Sequence, residues 1–197
     1  MSDTLTDMER LGAISRVTHV DAEVLRNAKV YTHSDFPKVS EERKRKALLD
    51  GSLDFWWITF KVLQERLGAE GARAAFDKAM MEFGYAEGKK ELKELGLEND
   101  HTVRAYTKLQ AAARSVFDHA YDVFELSNER AIHILWNCPA PARFTYHNCP
   151  EDACNMIDAY ERGKAMAINP NLILTNVSKL YPKGKDAFCA ILAEIRT

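Results

Sequence analysis

The apolar residues change their period once along this chain, and that change limits the fold more than any other feature. From residue 41 to about 119 they recur every three or four positions, as the buried stripe of an amphipathic helix does. Phe55, Ile58, Val62 and Leu63 form one set, with Trp56 and Trp57 adding bulk. Ala72, Ala75, Phe76, Ala79, Met80 and Phe83 form a second, and Val103, Tyr106, Leu109, Ala113, Val116 and Phe117 a third. Beyond Tyr121 the pattern alternates, so residues 121–126, 131–137, 172–178 and 187–195 read as strands. Between the second and third strands, residues 148–162 read as a helix with Pro150 in its first turn. Helices followed by β-β-α-β-β predict an α+β fold, an antiparallel sheet with helices packed on one face.

Breaker residues divide these segments. Ser40 before Glu41 and Glu42 is a helix start, since the hydroxyl caps free amides and the acids suit the positive helix end. Gly51-Ser52 marks a joint in the first helix, Gly68 its end, and Gly84 with Gly88 a kink or break in the second. Asn99 or Asp100 caps the third. Residues 127–130 and 182–185 are the expected hairpin turns, and residues 21–28 a short helix. Residues 1–40 form an N-terminal extension and residues 41–197 a single domain, helical over 41–119 and sheet-forming over 120–197.

The net charge of −2 argues against nucleic acid or an anionic membrane as the main partner, because both need a concentrated basic surface. The cluster Arg43-Lys44-Arg45-Lys46 follows two glutamates and reads as a solvated helix face. No apolar stretch reaches the ~20 residues needed to cross a bilayer. The polar, acidic N-terminus lacks the features of a secretion signal, so a cytoplasmic location with reduced thiols is expected.

All four cysteines, Cys138, Cys149, Cys154 and Cys189, fall in the last third of the chain. In a reducing compartment this clustering favours catalysis or metal binding over disulfides. Cys138 ends the second strand, and alternation puts it on the face of Ile132, Ile134 and Trp136, taken as the core side. His133 then points the other way, as a half-exposed sheet residue. Cys149 stands near the expected helix start, where free amides favour a thiolate, although Glu151 and Asp152 oppose this. Cys154 and Asp158, four residues apart, share a helix face with Glu151 and Glu161. Facing a pocket, that ridge offers a nucleophile and proton carriers; facing water, it is a charged surface. His147 is a candidate base or metal ligand. Trp57, Tyr85, Tyr106 and Trp136 are candidates to line a substrate cavity, with plain core packing as the alternative.

No Cys-x-x-Cys or His-x-x-x-His pair, glycine-rich phosphate loop or Gly-x-Ser-x-Gly elbow occurs. Nucleotide-dependent chemistry and serine hydrolysis therefore have no support, and no cofactor is expected, with a cysteine-held metal left open.

Several spaced residues resemble the L-2-amino-thiazoline-4-carboxylic acid hydrolase family. They are Asn137-Cys138-Pro139, Cys154 with Asp158, Asn169-Pro170-Asn171-Leu172, and Gly184-Lys185-Asp186-Ala187-Phe188-Cys189. In the helical half, Ala47-Leu48-Leu49, Leu67-Gly68-Ala69-Glu70 and Glu82-Phe83-Gly84-Tyr85 are similar to that family's lead-in. A more distant likeness is to vinyl-reductase-type small-molecule-binding domains. The resemblance implies a cytoplasmic enzyme that opens a C–N bond in a small cyclic amidine-like substrate. Lys185-Asp186, where Gly-Asp is the family's pattern, and the additional Cys149 are departures from it.

The expected function is therefore a hydrolase or related lyase on a small heterocyclic or amidine substrate. Cys138 and Cys154 are its thiols, Asp158 a proton carrier and His147 an auxiliary base. A non-enzymatic binding or sensing domain with redox-responsive thiols, and a cysteine-ligated metalloenzyme, are the alternatives. The partner is a small molecule, with self-association left open.

Overall fold

The computed structural model describes residues 21–27, 40–116, 120–181 and 188–196. The chain divides into two units, Met1–Ser40 and Glu41–Thr197. In the first, helix α1 (Ala22–Asn27) begins at Asp21, whose carboxylate accepts the Glu23 amide at 2.7 Å.

The second unit opens with α2 (Glu41–Glu94), which is interrupted at Gly68, where φ is 73° and ψ 173°. That conformation is open essentially to glycine alone, so the break sits where a side chain would be strained. The expected joint at Gly51-Ser52 is absent. The Ser52 hydroxyl donates to the Leu48 carbonyl at 2.8 Å, so its polar group is satisfied inside the helix. The break expected at Gly84 and Gly88 is absent too, because those glycines are contact points. A methyl on Gly84 would run into the Tyr160 carbonyl oxygen, and one on Gly88 would lie 2.9 Å from Ala167 Cβ.

Helix α3 (Val103–Val116) is capped by Asp100, whose Oδ1 accepts the Thr102 amide at 3.1 Å and hydroxyl at 2.6 Å. Residues 117–119, expected to continue it, lie outside the described residues. Strands β1 (Tyr121–Ser127) and β2 (Arg130–Leu135) form the first hairpin. The chain then forms α4 (Ala140–Tyr146), a helix the sequence reading missed. Asn148, at φ 51°, turns the chain out of α4. The helix expected at 148 begins later, as α5 (Cys154–Ile168). Strands β3 (Leu172–Ser178) and β4 (Cys189–Ile195) complete the fold, and the expected turn at 182–185 lies outside the described residues.

The sheet is antiparallel throughout, in the order β1-β2-β4-β3. Helices pack on one face of it, which makes the fold α+β. The face they cover is opposite to the expected one. Ala131, His133 and Leu135 are buried on it, while Ile132 and Ile134 are half-buried on the other. Small residues explain the choice. Ala131 and Ala193, paired across β2 and β4, let Tyr106 and Leu109 of α3 approach closely. His133 is accommodated there by Thr107 Oγ1 at 3.3 Å and by the ring of Tyr106, which it meets edge-on.

Two clusters form the core. One joins the middle of α2 to α4 and α5 through Trp57, Phe60, Phe76, Met80, Phe144 and Met156. The other joins α3 and α5 to the sheet through Val103, Tyr106, Leu109, Ile168 and Leu172. Helix α5 belongs to both. Its Gly163 lies so close to α2 that a methyl there would run into the Met81 carbonyl oxygen. No described helix is long and apolar enough to cross a membrane.

Candidate thiol site

Three cysteines converge where the sheet meets the start of α5. Cys138 follows the end of β2 and faces the Ala140 amide. Cys189 opens β4 opposite Leu135, on the helix-facing side, and accepts the Leu180 N–H on Sγ at 3.1 Å. Cys154 is the first residue of α5. Each of the three lies within electrostatic reach of at least one of the others.

Asp158, one turn beyond Cys154, is near enough to raise the thiol pKa of both Cys154 and Cys189. It is held by Lys179, just past β3, whose Nζ stands 3.0 Å from Asp158 Oδ2 and 2.6 Å from Asn155 Oδ1. Burial pushes the Cys138 thiol up to about 11 and the Cys154 thiol up to about 12, and raises Cys189 as well. The three are therefore protonated at neutral pH.

A second polar group adjoins the thiols. Glu161 of α5 accepts hydrogen bonds from Gln110 and from the Tyr106 hydroxyl, the latter at 3.5 Å. Arg114, on α3, is 7 % exposed, and its Nε has no hydrogen-bond partner among the described residues. Its positive charge reaches Cys138, Cys189, His133 and Tyr106. Burial holds His133 down to about 4, with Arg114 adding to the effect, so the imidazole is neutral at pH 7.

An open cleft of about 400 Å³ lies alongside, lined in part by Asp152, Asn155, Asn176, Ser178, Lys179 and Tyr181. No cysteine lines it, but Asn155 and Lys179 belong both to it and to the thiol site. Among the described residues, no three His, Cys, Asp or Glu side chains are grouped to hold one metal ion.

The structure thus sets Cys138 near Cys154, and Cys154 near Asp158, but the cleft alongside is lined by none of the three. His147 is engaged elsewhere, its Nε2 lying 2.8 Å from Asp54 Oδ1 beside the Arg143–Asp54 ion pair. Cys149 is not at a helix start. It is buried in the first core cluster, burial pushes its thiol up to about 11, and its carbonyl accepts the Tyr181 hydroxyl at 2.6 Å.

The four aromatic candidates do not share a cavity. Trp57 stacks on Phe60 in the core, Tyr85 is exposed beside Lys89, and Trp136 is exposed with its indole N–H on Asp122 at 2.6 Å. Tyr106 alone joins the polar group beside the thiols.

Sequence reasoning passed over Cys189, Lys179 and Arg114 as site residues. For Cys189 the signal was available, because alternation along β4 puts it on the face of Ile191 and Ala193. Lys179 and Arg114 carry no local signature.

Compared with family models, curated proteins and solved structures, the chain has no match in any of the three.

Proposed function

We propose that this protein is an enzyme that opens a C–N bond in a small cyclic amidine-like or heterocyclic substrate by hydrolysis or a related elimination. The observation that carries this reading is that Cys154 and Cys189 lie within reach of the Asp158–Lys179 pair, with Cys138 beside them. Candidate nucleophiles beside a proton-carrying couple are the combination that ring opening at a C=N carbon needs. The resemblance to the amino-thiazoline hydrolases points the same way.

The protonation state selects the route. Ionising a thiol held at about 12 costs roughly 7 kcal/mol at pH 7. Cys154 therefore attacks as its proton leaves, and the basic nitrogen of an amidine is a suitable acceptor. As the ring opens, the leaving nitrogen gains charge, and the Lys179 ammonium held on Asp158 is the nearby donor that neutralises it. Water then releases the product from sulfur.

Arg114 supports a substrate that carries an anionic group. A buried guanidinium with an unfilled hydrogen-bond position favours a carboxylate partner. Four free thiols suit a reducing, cytoplasmic setting. The non-enzymatic alternative, a domain with redox-responsive thiols, is disfavoured by the same protonation, because oxidation starts from the thiolate.

The test is a mass-spectrometric screen of cyclic amidines and carboxylated heterocycles. A compound consumed by the wild type and spared by Cys154→Ser is the expected result. If no compound is consumed, or if Cys154→Ser and Cys138→Ala turn it over at the wild-type rate, the proposal fails.

A further inference from the structure

The helices cover one face of the sheet and leave the other apolar. Register puts Phe124, Ile132, Ile134, Leu192 and Ile173 on that outer face, with Ala190 buried among them. Trp136 and Phe188 follow at one margin, their rings in edge contact at 5.4 Å, and Leu126 and Val177 occupy bulges on the edge strands. Phe124 is 53 % exposed, Trp136 49 % and Val177 61 %. The charges on this face stand toward its ends. Asp122 lies at one end of the β1–β2 pair, and Arg130 and Glu194 at the other.

From this arrangement we infer that the outer sheet face is the contact surface of a symmetric dimer of this chain. Area favours a second copy. Four strands of six or seven residues give a footprint of roughly 23 Å by 19 Å. With side-chain relief and the bulged margins, that approaches the roughly 600 Å² per partner at which stable interfaces begin.

Charge placement fixes the orientation. A two-fold axis along the strands lays the order β1-β2-β4-β3 back over itself, so Arg130 on β2 of one copy comes over Glu194 on β4 of the other. The alternative axis, across the strands, would set Arg130 over the apolar Ile134 end of the same strand. Face-to-face sheets at about −30° bury such centres well, and a self-complementary patch closes into a dimer without leaving a free surface.

The other exposed apolar feature, Leu48, Phe55, Ile58 and Val62 along α2, is a stripe one side chain wide and is broken at Gly51 and Glu65. It is the competing surface.

The test is sedimentation equilibrium on the full chain at 1 to 100 µM (roughly the range in which interfaces of this size act), with circular dichroism as the folding control. The expected result is a mass of two 22.4 kDa chains, with dimer affinity weakened about 100-fold or more by Phe124→Glu and by Val177→Glu. If either variant fails to fold, Thr175→Arg, at an exposed polar position on the same face, replaces it. A monomeric wild type at 100 µM would overturn the inference. So would a dimer that survives these substitutions, or one that Ile58→Glu on the helix stripe dissolves instead.

Discussion

Lys179 Nζ stands 3.0 Å from Asp158 Oδ2, which ties the segment after β3 to the face of α5 that carries Cys154. The pair is 21 residues apart in the chain, with the rest of α5 and all of β3 between, yet shares one thiol site. Lys179→Met and Asp158→Asn should each lower kcat/KM by at least ~100-fold on whichever substrate the screen identifies. Both side chains are half-buried, so the change in stability should stay within about 1 kcal/mol. Steady-state kinetics and urea unfolding on the same samples separate the two effects. Unchanged kinetics in both variants would remove the pair from the mechanism.

The raised thiols make a reactivity prediction. Cys138, Cys154 and Cys189 should alkylate with iodoacetamide at pH 7.5 at least ~10-fold more slowly than a free cysteine, and faster as the pH passes 9. Peptide mapping by mass spectrometry reads each site separately. A thiol that alkylates rapidly at pH 7 would show that ionisation precedes attack.

Cys149 should behave as a core residue. Cys149→Ser puts a hydroxyl among Leu53, Phe144 and Met156 and should cost about 1 to 2 kcal/mol of stability. Turnover by the folded fraction should be unchanged. A loss of turnover without a loss of stability would return Cys149 to the list of reactive thiols.

His133 predicts an acid limit. Its folded pKa of about 4 lies below the unfolded value of 6.5, so the unfolded chain binds the extra proton. Stability is complete above pH 6.5 and falls as the pH drops toward 4, by up to ~3 kcal/mol from this group. His133→Gln, which cannot titrate, should flatten the urea midpoint between pH 6.5 and 4. An unchanged slope would mean that the imidazole is protonated in the folded protein.

The α2–α5 crossing predicts opposite signs for one substitution. Gly163→Ala must displace the Met81 carbonyl and the Tyr85 amide and should cost ~2 kcal/mol or more. Gly51→Ala meets nothing within 4 Å in an exposed helix and should gain ~0.5 to 1 kcal/mol. Thermal unfolding of both variants checks the pair.

Local signals are legible in the sequence where they involve neighbours in the chain. The Asp100 cap, the Gly68 break and strand β3 are all short-range matters of sterics and hydrogen bonding. The misread elements depended on remote partners. Gly84 and Gly88 looked like breakers until α5 was laid across them, and α4 has too few residues to declare a period. The region from Asn148 to Ala153 looked like a helix start, but Asn148 turns the chain and the helix waits until Cys154. His133 looked half-exposed because alternation separates two faces without saying which one is covered.

The order of periods, helical and then alternating, was enough to determine an α+β chain and to place Cys154 and Asp158 on one helical face, since 3.6 and 2 residues per repeat are properties of the backbone itself. Tertiary packing decided the rest. It chose the sheet face that carries Ala131 and Ala193, because only small side chains let α3 approach. It gave His147 to Asp54, and it brought Arg114, Lys179 and Cys189 to the thiols. Those meetings depend on through-space distance between segments far apart in the chain, which no local pattern of residues encodes.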